Sequence, residues 1–254
     1  MNIKNLHILL ILLIFLGCAP SQVQLPQKAL IKPNDIKEAI MIEEEINSRS
    51  TISPPKDQNW FVVIKGTLPI IITAPHATAP LREGNRRFSD GGGTAALSIL
   101  LNKFTDATVI YTNYAGPSDP NYYDDNSFKE TLRELIESIK PLYILDIHGS
   151  HPYRPYDVDF GTMNGQSLLG NDELLQNLIT ALKNEGIYNF SNNYFAGSKN
   201  QTIIKFASVL GIPSIQLEIS STWLSPSECD LYAHRFSQLL QALIHFIENT
   251  TSNN

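Results

Sequence analysis

Two histidines and a glutamate stand at the ends of three apolar runs, where a core has no use for them. Pro69-Ile70-Ile71-Ile72-Thr73-Ala74-Pro75 runs into His76, Leu142-Tyr143-Ile144-Leu145-Asp146-Ile147 into His148, and Ile215-Gln216-Leu217 into Glu218. Runs of this kind read as buried strands of a parallel sheet, and in such sheets chemistry gathers at the carboxyl ends of the strands. The pattern therefore delivers two imidazoles and a carboxylate to one edge of one sheet. Neutral imidazole and carboxylate suit Zn2+, and a catalytic zinc takes three protein ligands and keeps a fourth position open. Two acids follow His76 closely enough to complete the set, Asp90 and, as the alternative, Glu83. Taken alone, Asp90 reads as a cap for the helix after it, and Glu83 as a solvated charge beside Arg82.

Such a set answers a definite chemical problem. An amide carbonyl is a poor electrophile at neutral pH, and a zinc that polarises it and acidifies water addresses both halves of the difficulty. Glu218 is placed to take the water proton and pass it to the leaving nitrogen. Its resting charge is open, because a neighbouring cation lowers a carboxyl pKa whereas burial raises it. Arg82 or Arg154 is a cation available to a developing oxyanion, and Asp146, on the same strand face as His148, is placed to orient a ligand. His151 is carried away from the strand by its loop. His234 and His245 are expected on an exposed stripe of the last helix with Gln238 and Gln241, opposite Phe236, Leu239, Leu243 and Ile247. The chain has no GxSxG, which argues against a serine hydrolase. Gly91-Gly92-Gly93 lacks the lysine and spacing of a P-loop and reads as a tight turn.

The elements that must position these groups alternate between strand and helix. Residues 60–64 and 69–74 are β-rich runs that read as a hairpin. They are followed by a helix at 94–104, a strand at 108–112, a helix at 127–139 and a strand at 142–147. A short strand at 158–162, helices at 172–184 and 201–210, a strand at 212–219 and a closing helix at 227–248 complete the pattern. The fold class is α/β, a three-layer α/β/α architecture around a mainly parallel mixed sheet.

Composition bounds what surrounds the site. Across 254 residues, 43% hydrophobic and 17% charged content excludes disordered, collagen-like and coiled-coil chains. A formal charge of -6 argues against a nucleic-acid partner. Two cysteines, Cys18 and Cys229, exclude a disulfide framework and a multi-thiolate zinc site. Residues 1–17 carry Lys4 and then an apolar run, the pattern of an export signal, and Phe15-Leu16-Gly17-Cys18 resembles a bacterial lipobox. The expectation is an exported protein anchored by a lipid on Cys18 to a bacterial membrane, facing the periplasm or exterior, or otherwise secreted. Residues 18–58 read as a tether with one short helix at 35–46, capped by Asn34 and docked on the domain surface, and residues 59–250 as the hydrolase domain. Cys229 is expected to be a buried thiol.

In order along the chain, Pro75-His76, Asp90-Gly91-Gly92-Gly93-Thr94, Asp119-Pro120-Asn121, Asp146-Ile147-His148-Gly149, Phe160-Gly161-Thr162 and Gln216-Leu217-Glu218-Ile219 resemble N-formylglutamate amidohydrolase-like proteins. That family is similar to zinc carboxypeptidases and poly-γ-glutamate hydrolases. The resemblance covers residues 60–223 in pieces. It implies a zinc carboxypeptidase-like fold and a hydrolase of amide bonds holding one Zn2+ through His76, Asp90 and His148, with Glu218 as general base and Asn121 on the substrate carboxylate. The family often has Arg directly after that Asn, where this chain has Tyr122, so Arg82, Arg154 and Lys199 are the cations nearest to hand. The spacing from His76 to the acid exceeds that of the carboxypeptidases, which keeps Glu83 open as a ligand. The expected substrate is small and acidic or peptide-like: an acylated amino acid, a γ-glutamyl chain or a cell-wall peptide. No protein partner is expected. The alternative, motivated by Tyr122, is a binding lipoprotein that retains the fold without catalysis. The presence of His76, His148 and Glu218 together favours the enzyme.

Overall fold

Ile70, Ile72, Val109, Leu145 and Leu217 alternate along their strands with Ile71, Ile110 and Ile144, and the two sets pack into separate cores on opposite faces of one sheet. The computed structural model, which describes residues 28–252, places seven strands in that sheet. They are β1 (Phe61–Ile64), β2 (Leu68–Ala74), β5 (Ala107–Thr112), β6 (Tyr143–Ser150), β7 (Val158–Gly161), β8 (Phe190–Asn192) and β9 (Ser214–Ser220), in the order β1-β5-β2-β6-β9-β7-β8. The central four, β5, β2, β6 and β9, are parallel, while β1 and β7 join antiparallel to β5 and β9. A separate two-stranded hairpin, β3 (Leu81–Arg82) and β4 (Asn85–Arg86), stands off the sheet.

Helices cover both faces. On one side lie α1 (Pro33–Ser48), α2 (Gly92–Thr105), α4 (Asp172–Asn184) and the long α7 (Asp230–Ser252); on the other lie α3 (Ser127–Ile139) and α5 (Ile203–Val209). The short α6 (Ser221–Leu224) leaves the end of β9. Periodicity explains α3 well: Phe128, Leu132, Leu135 and Ile136 form its buried stripe, and the Asn126 side chain caps it by accepting the Lys129 N–H. Among the described residues no helix is long and apolar enough to cross a membrane.

Several expectations are corrected. β1 and β2 are not a hairpin, because β5 lies between them. β2 is buried on both faces and takes a partner on each edge, which leaves the half-buried β1 at the sheet margin. β6 runs on to Ser150, so His148 lies within the strand rather than after it, while Glu218 lies within β9 as the expected strand at 212–219 had it. α1 begins at Pro33, with the Asp35 carboxylate accepting the Lys32 N–H, and Asn34 is inside the helix. On α7, Gln241 is buried, accepting from Leu30 N and donating to Glu185, and His245 is half-buried, because helices pack against α7 on more than one side. Cys229 is exposed, in the connection that precedes α7. The expected signal segment and Cys18 lie outside the described residues.

Candidate metal centre

Three neighbouring parallel strands, β2, β6 and β9, point their carboxyl ends at one place. His76 follows β2 by two residues, His148 sits in β6, and Glu218 is the register partner of His148 on β9. Asp90 comes from the loop after the β3–β4 hairpin. It reaches the site because Gly149 has no side chain: a β-carbon there would stand 2.3 Å from the Asp90 carbonyl oxygen.

Asp90 lies between the two imidazoles. Its Oδ2 is 2.7 Å from His148 Nδ1 and 3.5 Å from His76 Nδ1, and the rings meet edge to face with centroids 4.9 Å apart. One ligand atom from each of His76, Asp90 and His148 lies within 4.8 Å of the other two. The far nitrogens are held by carboxylates: His76 Nε2 donates to Asp119 Oδ1 at 2.8 Å, and His148 Nε2 to Asp146 Oδ2 at 3.0 Å. Both rings therefore carry hydrogen on Nε2 and turn Nδ1 to the centre, the arrangement that fixes histidine as a metal ligand. Thr73 Oγ1 donates to Asp146 in turn, and Asp146 and Asp119 are fully buried.

The charges follow from this geometry. Burial disfavours a charged His76, yet Asp119 and Asp90 outweigh it and raise its pKa to about 9; burial likewise opposes a charged His148, and Asp146 and Asp90 raise it well above the usual value. Burial works against the Asp90 anion, but the two histidines pull its pKa down to about 2. Glu218 goes the other way, pushed up to about 7 chiefly by burial, against the lowering influence of His148. The metal-free centre thus holds two imidazolium ions among carboxylates, protons that a divalent cation would displace. Two imidazole nitrogens and a carboxylate oxygen, each imidazole locked from behind, form a donor set that fits Zn2+ with a position to spare.

A cavity of about 470 Å3 opens over this centre, lined among others by Arg82, Asn121, Lys199, Gln216 and Glu218. Arg82 gives both Nε and Nη2 to Asp119 Oδ2 and stacks over the Tyr122 ring at 4.5 Å, so Nη1 remains for the cavity. Asn121 is held by Oδ1, which accepts the Ile203 N–H at 2.6 Å. Its Nδ2 lies 3.2 Å from His148 Nε2, but that nitrogen already donates to Asp146, so the Asn121 amide hydrogens stay uncommitted at the cavity wall. Lys199 is exposed and lines the cavity. Arg154 does not line it and lies over Tyr194 and Phe195. Glu83 is also away from the centre: it accepts the Tyr122 hydroxyl hydrogen and borders a different cavity. His151 is exposed and stacked on Tyr153.

Three features escape the sequence pattern. Asp119 stands in a motif there, but its hold on His76 does not show. Gln216 donates Nε2 to Glu218 Oε1 at 2.9 Å, while its Oε1 is buried without a partner. The cavity wall at residues 193–197 is pinned by Asp159, whose carboxylate accepts the N–H groups of Tyr194 and Phe195. The alternation of polar with apolar residues in Val158-Asp159-Phe160 and Ile215-Gln216-Leu217 is the available signal for the last two.

No family model matches the chain, and no curated protein matches it in sequence. Solved structures do. N-formylglutamate amidohydrolase from Ralstonia eutropha JMP134 superposes with a TM-score of 0.59 at 14% identity, over 76% of this chain and 99% of that one. A gene product of Agrobacterium tumefaciens superposes at 0.51 and 15% identity, over 82% of this chain and 99% of its own. A bacteriophage poly-gamma-glutamate hydrolase gives 0.48 at 16% identity, over 76% of this chain and 87% of that one. The fold of this chain is therefore the α/β fold of N-formylglutamate amidohydrolase, the likeness that its ordered motifs carry.

Proposed function

We propose that the chain is an exported, zinc-dependent hydrolase of amide bonds, acting on a small acidic or peptide-like substrate such as an acylated amino acid or a γ-glutamyl or cell-wall peptide. The observation that carries this reading is the convergence of His76, Asp90 and His148 around one point, with Glu218 lining the same cavity. When bound, zinc supplies Lewis-acid chemistry, polarising a carbonyl and acidifying water near neutral pH.

The rest is the work of the chain. Glu218, with a pKa raised to about 7, is poised to accept the proton of the attacking water and return it to the departing nitrogen. Gln216 Nε2 holds the Glu218 carboxylate in place. Arg82 lines the cavity with its guanidinium fixed by Asp119 and Tyr122, and serves the developing oxyanion or a substrate carboxylate. Asn121 Nδ2 and Lys199 offer further donors for that carboxylate. Tyr122 fits this scheme, because it supports Arg82 rather than replacing it. A lipid on Cys18 is the proposed attachment to the membrane, and metabolic labelling with a fatty acid, lost in Cys18→Ala, tests it.

The test of the activity is metal analysis of the purified protein, then cleavage assays on N-acyl amino acids and γ-glutamyl peptides. One equivalent of zinc and chelator-sensitive cleavage are expected. A folded protein that takes up no zinc, or a His148→Ala variant with full activity, would overturn it.

A further inference from the structure

Of the three candidate ligands, Asp90 lies deepest in irregular backbone, so its placement depends on what holds the turn around it. The Asp90 N–H donates to His76 O at 2.8 Å, and its carbonyl packs on Gly149. Three glycines follow, each with its own reason. Gly91 has φ 93, which a side chain rarely tolerates. A β-carbon on Gly92 would stand 2.3 Å from the Glu43 carbonyl oxygen of α1, and one on Gly93 would stand 1.7 Å from the Leu224 carbonyl oxygen of α6. The turn is thus gripped between the N-terminal helix and the helix that leaves β9. Gly92 is buried, and its N–H donates to Oδ1 of the exposed Asn47 of α1 at 2.8 Å, a half-buried bond at the edge of the turn.

We propose that Asn47 is a positioning residue for the metal centre, through which the N-terminal helix α1 sets the location of the Asp90 carboxylate. The inference rests on the reading of His76, Asp90 and His148 as zinc ligands. Without the Asn47 acceptor, the Gly92 N–H loses its side-chain partner, and the peptide it shares with Gly91 is held only through the Gly91 carbonyl, which accepts the Thr94 N–H and hydroxyl, so it can tilt about the Gly91 φ toward water. Asp90 is the residue before that pivot, so its Oδ2 moves relative to two imidazoles that stay fixed on Asp119 and Asp146. Side chains that orient ligands from behind are worth about 10–100-fold in metal affinity when lost.

α1 has separate anchors, which make the effect separable from undocking. Lys103 on α2 pairs with Asp35 at 2.9 Å and Glu38 at 2.6 Å, Glu43 Oε2 accepts the Ser227 N–H at 2.9 Å, and Ala39 and Ile46 are buried in the core. The experiment measures zinc affinity by competition with a chromophoric chelator, together with melting of the metal-free protein, for wild type, Asn47→Ala, Asn47→Asp, Gly92→Ala and Lys103→Met. Asn47→Ala is expected to bind zinc about 10–100-fold more weakly, with metal-free melting close to wild type. Asn47→Asp, which keeps an acceptor oxygen, restores affinity; Gly92→Ala weakens it; Lys103→Met, which loosens α1 far from the turn, lowers the melting temperature and leaves affinity unchanged. Wild-type affinity in Asn47→Ala overturns the inference and leaves the zinc site standing. Equal losses in Asn47→Ala, Asn47→Asp and Lys103→Met also overturn it, as a general loosening of α1. A wild type that binds no zinc overturns the reading beneath it.

Discussion

Asp119 stands between His76 and Arg82, with Oδ1 on the His76 Nε2 and Oδ2 on the Nε and Nη2 of Arg82. One fully buried carboxylate thus orients a candidate metal ligand and fixes a cation that lines the cavity above it. Its pKa lies well below the usual carboxylate range, since His76 and Arg82 more than offset the burial that works against its charge.

Replacing Asp119 by Asn should therefore act twice. Zinc affinity is expected to fall by about 10–100-fold, because His76 loses the carboxylate that sets its tautomer and basicity. KM should rise as well, because Arg82 loses its fork. Chelator competition and steady-state kinetics separate the two, and unchanged zinc affinity in the Asp119→Asn variant would remove Asp119 from the centre.

Glu218→Gln keeps the shape and the contact with Gln216 but cannot take a proton. Turnover should fall by about 10²–10⁴-fold with zinc content unchanged. Metal analysis beside single-turnover rates checks this, and retention of more than about a tenth of wild-type turnover would exclude Glu218 as the base.

The metal-free protein should lose stability as pH rises. His76 titrates at about 9 when folded against a model value of 6.5, so its contribution is complete below about pH 6.5 and disappears as pH passes through about 9. His148, also raised, acts in the same direction. Urea midpoints of chelator-treated protein at pH 6, 8 and 10 should decline in that order. Zinc binding at pH 7 should release about two protons, read from calorimetry in buffers of different ionisation enthalpy.

Glu43 offers a test outside the ligand set. It is 3% exposed, and burial raises its pKa above 4.5 despite the N–H that Ser227 donates. A carboxyl shifted upward favours the fold when protonated, and that contribution is lost as pH climbs from 4.5 through the folded value. Glu43→Gln keeps an acceptor for Ser227 and removes the charge. It should be more stable than wild type at pH 7, with the gap closing toward pH 4. Denaturant midpoints at both values decide it, and a variant less stable at pH 7 would contradict the account.

Local pattern went far in this chain. Apolar runs that stop at His76, His148 and Glu218 named the three strands and the sheet edge, since a two-sided hydrophobic strand must be central and its polar terminus must lie at the rim. The helix expected at 127–139 matches α3 at its observed bounds, because helical periodicity is a property of neighbouring residues. The hairpin expected from β1 and β2 failed because short-range turn signals do not register that β5, arriving some forty residues later, competes for the same strand edge.

The sequence by itself determined which chemistry the chain can carry: the imidazoles, the carboxylates, the absence of thiolate ligands, and the strands that bring them to one edge. Tertiary structure alone brings Asp90, and not Glu83, beside the two histidines: both acids lie in loops of similar polarity, and the missing side chain at Gly149 lets the Asp90 loop approach. It also decided among the cations, bringing Arg82 and Lys199 to the cavity and leaving Arg154 stacked on Tyr194 and Phe195. The link from Asn47 to the turn that carries Asp90 spans more than forty residues, and no periodicity encodes a contact of that range, which exists only once α1 has docked.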